Sequence, residues 1–159
     1  MSAARVVLCV DGAAPEALLE AALGLLGEAV WVPAHVVDTR GRRDLGLLRS
    51  GITGAGPLSR SQLQAIDTAT AEHTRAVLEA TISSLERRGL AHEPPQIRTG
   101  EPGRELCAIA QAVHAALIVL YASRRRQGER GPHSVGHTAR FVVDHAPCPV
   151  LVVRGGRAG

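Results

Sequence analysis

Residues Arg5 to Val10 form an apolar, β-branched run without polar alternation, the pattern of a strand covered on both faces in a parallel sheet. The run stops at Asp11-Gly12. Pro15 and Glu16 then open a helix whose Leu18, Leu19, Ala22, Leu25 and Leu26 make one apolar stripe, closed by Gly27. Ala29 to Val37 predicts a second strand, in which Pro33 lacks an N–H and is expected at the strand start or beside a bulge. Residues 39–58 carry five glycines and four arginines with no periodicity, which predicts a long, flexible loop.

From Ser59 to Arg88 the pattern turns helical. Leu63, Ile66, Thr70, His73, Val77 and Leu85 fall near one face, Ser59 or Ser61 suits the N-cap, and Gly89 the C-terminal end. Pro94-Pro95 separates this helix from a short strand around Gln96 to Thr99. Gly100-Glu101-Pro102 introduces a helix with Leu106, Ile109, Ala110 and Val113 inward and Glu101 and Glu105 near its positive end. A strand at Leu117 to Tyr121, an arginine-rich loop, a helix from Ser134 to His145 and a strand at Val150 to Arg154 complete the chain. Strands that alternate with helices imply right-handed crossovers and a parallel sheet with helices on both faces. The expected fold is thus α/β: one doubly wound, Rossmann-like domain over residues 1–159, with five strands.

Composition narrows the function. A chain of 159 residues can bury one ordinary core. No targeting or spanning segment is read, because Val6 to Val10 is too short for a signal-peptide core, so a cytoplasmic location and no membrane partner are expected. Cys9, Cys107 and Cys148 lack paired spacing, which favours reduced thiols over a disulfide frame or zinc ribbon. All 18 basic residues are arginine, against 15 acidic ones, and this bias weakens any single arginine as a sign of phosphate binding. Trp31, Tyr121 and Phe141 are the only aromatic residues of the phenylalanine, tyrosine and tryptophan kind, too few for stacking on bases, so no nucleic-acid partner is expected.

The segments Val6 to Gly12, Ala34-His35-Val36-Val37-Asp38, Gly100-Glu101-Pro102, Ala116 to Tyr121 and His145 to Val153 together resemble the universal stress protein family. The resemblance implies a strand order of 3-2-1-4-5 and a homodimer. In that family the loop after the fourth strand reads Gly, two residues, Gly, nine residues, Gly, then Ser or Thr, and wraps the phosphates of ATP. Here Ala122 stands at the first glycine and Arg125 at the second, the spacer is one residue longer, Gly136 holds the third, and His137 replaces the hydroxyl residue. The resemblance further implies that Val10 and Asp11 border a nucleoside, that Val36 contacts adenine, and that the loop with Arg124 and Arg125 meets phosphates. Gly136 opens a helix, where free amides and the dipole favour an anion, and His137 and Thr138 would add donors.

Competing readings stay open at these positions. Arg124, Arg125 and Arg126 would compensate for the lost glycine by charge-assisted bonds, or else form a solvated loop. Asp11 is equally a turn former or helix cap. His133 and His137 at i, i+4, and His145 three residues before Cys148, have metal-ligand intervals, but His145 suits a helix C-terminus without a metal, and no metal is expected. No nucleophile elbow, carboxylate pair or lysine-bearing phosphate loop is present, so no enzyme is expected. The leading expectation is a cytoplasmic stress-response or signalling homodimer with a crevice for ATP, another adenine nucleotide or an anion. Its alternative is an interaction protein that acts through its dimer and surface loops without nucleotide, and a phosphoryl- or adenylyl-transfer enzyme stands last. Val150 to Val153, an apolar strand expected at the sheet edge, is the predicted dimer seam, since an unpaired edge invites association.

Overall fold

A computed structural model describes residues 3–12, 15–39, 58–122 and 134–154. Five strands, β1 (Ala4–Cys9), β2 (Ala29–Asp38), β3 (Gln96–Gly100), β4 (Leu117–Tyr121) and β5 (Val150–Val153), form one parallel sheet in the order β3-β2-β1-β4-β5. The helices are α1 (Glu16–Leu23), α2 (Arg60–Arg87), α3 (Pro102–Ala112) and α4 (His137–His145). The expected loop at 39–58 falls largely on residues 40–57, outside the described residues.

Strand alternation sorts the core into two layers. Val6, Leu8 and Val10 of the β1 run pack with Trp31, Val119, Leu18 and Leu19 of α1, and Leu78 and Leu85 of α2. Val7 turns the other way, with Val32, Ala34, Ile118 and Leu120, onto Leu106, Ile109 and Ala110 of α3 and Ala139 and Val142 of α4. Both faces of β1 are therefore dry, which is why its sequence shows no polar alternation.

Three expectations change. α1 ends at Leu23 with Gly24 as its C-cap, because glycine is a poor helix residue; Leu25, assigned to the stripe, is 73% exposed. In α2, Ser59 makes the capping box with Gln62, but the buried face is Thr74, Leu78, Thr81, Ser84 and Leu85. Leu63 and His73 are exposed, and the first half of this long helix buries little. α4 starts at His137, later than Ser134, because Gly136 has φ 89° and ψ 165°, values closed to helix.

Pro33 lies in the middle of β2, paired in register with Leu8. Its missing N–H faces the other neighbour, the same side on which the Trp31 amide donates to Ala91. There Trp31 bridges His92 and Ala34 pairs with Gln96, so Val32 and Pro33 face the three residues Glu93, Pro94 and Pro95. The proline thus sits beside a one-residue bulge, where no ladder bond is lost.

Candidate functional site

The strand order reverses between β1 and β4, and in open α/β sheets ligands bind beyond the strand ends at such a point. A cavity of about 420 Å³ lies there. Cys9, Val10 and Asp11 border it from the end of β1, His35, Val36 and Asp38 from β2, and Leu120 and Tyr121 from β4. Pro102 and Leu106 of α3 form one wall, and His137, Thr138 and Ala139 of α4 another.

The register leaves one backbone edge open. In a parallel strand, alternate residues turn both peptide groups to the same neighbour. Ala34 faces β1, accepting a hydrogen bond from the Val10 amide at 2.9 Å, and Val36 therefore faces β1 as well. Pairing of β1 with β2 stops at Cys9 opposite Ala34. Among the described residues no backbone bond joins Val36 to Val10 or Gly12, so its N–H and C=O point past the end of β1 toward the crevice. The chain leaves through Gly12, whose φ of 99° suits glycine.

At the other wall, Gly136 caps α4 without a side-chain cap for the first helical turn. Its own amide donates to the Ser134 hydroxyl at 3.1 Å. Among the described residues no side chain caps these first-turn amides, which with the helix dipole suit an anion or a carbonyl oxygen. His137 Nε2 lies 3.7 Å from a Glu101 carboxylate oxygen, and Glu101 also pairs with Arg104 at 3.0 Å. Burial of the Cys9 thiol, with the Asp11 carboxylate adding to it, pushes its pKa up to about 12, so it is a neutral lining group and no thiolate nucleophile.

Of the residues singled out in the sequence, Val10, Asp11, Val36, His137 and Thr138 meet at this cavity, with Gly136 next to it. Ala122 is buried and its amide extends the β4–β5 ladder by donating to the Val153 carbonyl at 2.8 Å. Arg124 and Arg125 lie outside the described residues. Cys9, His35, Asp38, Pro102 and Leu106 were missed; Asp38, as the last residue of β2, carried a usable signal, because an acidic residue there commonly meets a ribose hydroxyl. No group of three metal-ligating side chains occurs among the described residues. No described helix is long and apolar enough to cross a membrane.

A larger groove of about 660 Å³ runs between α2 and the β2–β3 side of the sheet, lined by Val37, Ile66, Leu78, Ile82 and Ile97. It is the less favourable candidate, because the smaller cavity combines the strand reversal, an open peptide edge and a helix start.

An open parallel sheet in the order β3-β2-β1-β4-β5 with helices on both faces defines the doubly wound, Rossmann-like class of α/β proteins. Within that class the chain belongs to the universal stress protein family, whose model matches residues 3–154. Solved structures agree on the fold. A universal stress family protein from Burkholderia pseudomallei is 25% identical at a TM-score of 0.55, covering 94% of this chain and 95% of its own. UspA from Lactobacillus plantarum is 23% identical at 0.59, covering 97% and 99%. A universal stress family protein from Arabidopsis thaliana, with AMP bound, is 15% identical at 0.64, covering 97% and 93%. No curated protein matches the chain in sequence.

Proposed function

We propose that this universal stress family protein binds an adenine nucleotide in the β1–β4 crevice and acts as a cytoplasmic homodimer that signals by binding, without turnover. One observation carries the nucleotide reading: the unpaired peptide edge of Val36 at the cavity. Adenine places a ring acceptor next to an amino donor, which matches one N–H beside one C=O. Asp11 and Asp38 supply carboxylates for ribose hydroxyls, and the uncapped start of α4 supplies amides for a phosphate. The AMP bound to the Arabidopsis relative supports the same ligand class.

The interaction-protein alternative is favoured by a different feature. Among the described residues, the cavity is lined by the carboxylates of Asp11 and Asp38 and by no arginine, and Glu101, beside His137, is paired to Arg104. A highly charged phosphate chain gains little from such surroundings.

Calorimetric titration of ATP and AMP into the intact protein, with mass spectrometry of any small molecule released on denaturation, separates these readings. The nucleotide reading expects heat of binding and its loss in Gly136→Val, which strains a backbone held at φ 89°. Millimolar ATP or AMP giving neither heat nor thermal shift overturns it. For the homodimer, β5 is a sheet edge whose Val150–Val153 residues are all only part-buried. A monodisperse monomer at micromolar concentration by sedimentation removes that part of the proposal.

A further inference from the structure

His35 is 7% exposed and borders the crevice from β2, but strand alternation turns its ring to the α2 side of the sheet. Alternation along β2 sends Val32, Ala34 and Val36 toward α3 and α4 and turns Trp31 and His35 toward α1 and α2. The ring meets His73 of α2 edge-on, with centroids 6.3 Å apart. Its Nδ1 lies 2.7 Å from the Val10 carbonyl oxygen. A carbonyl only accepts, so Nδ1 carries the proton and donates.

That carbonyl is the acceptor a longer ladder would need. The next rung between β1 and β2 would run from the Val36 amide to Val10, by the alternation that already joins the Val10 amide to Ala34. The rung is missing, and the imidazole N–H takes one lone pair of the carbonyl that would accept it. His73 flanks the same turn: a Cβ on Gly12 would lie 3.0 Å from its Nε2.

We propose that His35 is a positioning residue that keeps the crevice open by taking the Val10 carbonyl, so that the Val36 peptide edge stays unpaired and available to a ligand. The inference rests on the nucleotide reading only for the ligand's identity. What the ligand must present is an acceptor beside a donor, as a purine edge does. Without the imidazole the buried carbonyl has the Val36 amide as its nearest substitute donor along the ladder, and that exchange would add a rung and close the edge.

Amide hydrogen exchange by NMR on the full chain, with and without ATP, tests this. In the wild-type protein the Val36 amide is expected to exchange faster than that of Ala34, which sits inside the ladder; equal protection of the two overturns the proposal. His35→Phe keeps a ring of similar size and removes the donor. It is expected to slow Val36 exchange about tenfold, the effect of roughly one added hydrogen bond, and to weaken ATP binding by a similar factor. His35→Asn, whose amide nitrogen falls near the place of Nδ1, is expected to restore both. A folded His35→Phe protein with unchanged Val36 exchange overturns the proposal. If His35→Phe does not fold, the wild-type comparison of Val36 with Ala34 still decides. Slower Val36 exchange in His35→Phe, with ATP bound by neither protein, upholds the positioning role and removes the nucleotide reading instead.

Discussion

Gly103 of α3 lies so close to Phe141 of α4 that a Cβ on the glycine would stand 2.7 Å from the ring's Cδ1. The two helices are the walls of the crevice, through Pro102 and Leu106 on one side and His137 to Ala139 on the other. Their separation is therefore set by a missing side chain. Phe141 is also held from beyond, stacked on His145 with centroids 4.2 Å apart and with the Arg104 guanidinium 5.9 Å from its centroid.

Gly103→Ala should accordingly push α4 outward and lower stability by about 1–3 kcal/mol, the usual range for overpacking a tight contact. Chemical denaturation measures the loss. Phe141→Ala in the same chain should recover part of it, because it removes Cδ1 and Cγ, which would stand 2.7 and 2.9 Å from the new Cβ. Equal losses in the two backgrounds would place the strain elsewhere.

Gly12 joins two constraints at the end of β1. Its φ of 99° is unfavourable for any residue with a Cβ, and His73 Nε2 would stand 3.0 Å from that atom. Gly12→Ala is expected to cost about 1–3 kcal/mol of stability, chiefly from the backbone. His73→Ala should relieve only the steric part, so the double variant remains less stable than His73→Ala alone by most of the original difference. A double-mutant cycle by urea denaturation reads that partition directly.

The sheet was legible where burial is two-sided. β1 and β4 have no polar alternation because helices cover both faces, and this separates them from amphipathic helices in the sequence. The long helix misled for the opposite reason. Its buried face uses Thr74, Thr81 and Ser84, small polar residues that an apolar stripe passes over, while the apolar Leu63 is exposed. At the site, Val10, Asp11 and Val36 were placed through family resemblance and the strand-end rule. The role of His35 could not be seen, because it depends on the register that brings its ring against the carbonyl of Val10. Strand order was likewise supplied by resemblance, since local pattern carries no information about which strands lie side by side.

Those small polar residues make a prediction of unusual sign. Thr68, Thr70 and Thr81 each donate to the carbonyl four residues back, but among the described residues the buried Thr74 hydroxyl has no partner, nor has that of Ser84. Replacing an unsatisfied buried hydroxyl with a methyl group of the same shape removes a desolvation penalty. Thr74→Val is expected to raise stability by about 1 kcal/mol, whereas Thr81→Val, which deletes a made bond, should not. A thermal melt in which both variants lose stability would show that Thr74 has a partner in solution.

The buried thiol predicts how stability falls in alkali. Burial and the Asp11 charge raise Cys9 from 9.0 to about 12 in the folded protein, while an unfolded chain leaves it near its ordinary value. Between those values the folded state keeps its proton and the unfolded state loses it. Unfolding then releases a proton, and stability declines as pH rises. The stabilisation is complete below about pH 9 and is lost progressively until the folded thiol itself ionises. Cys107 and Cys148 are raised by burial too, Cys148 also by its neighbour Cys107, and they add to the same trend. Cys9→Ala should therefore flatten the decline above pH 9 while leaving its slope at neutral pH unchanged. Urea denaturation at a series of pH values measures both slopes, and an identical alkaline decline in the variant would mean that the Cys9 thiol is not the group responsible.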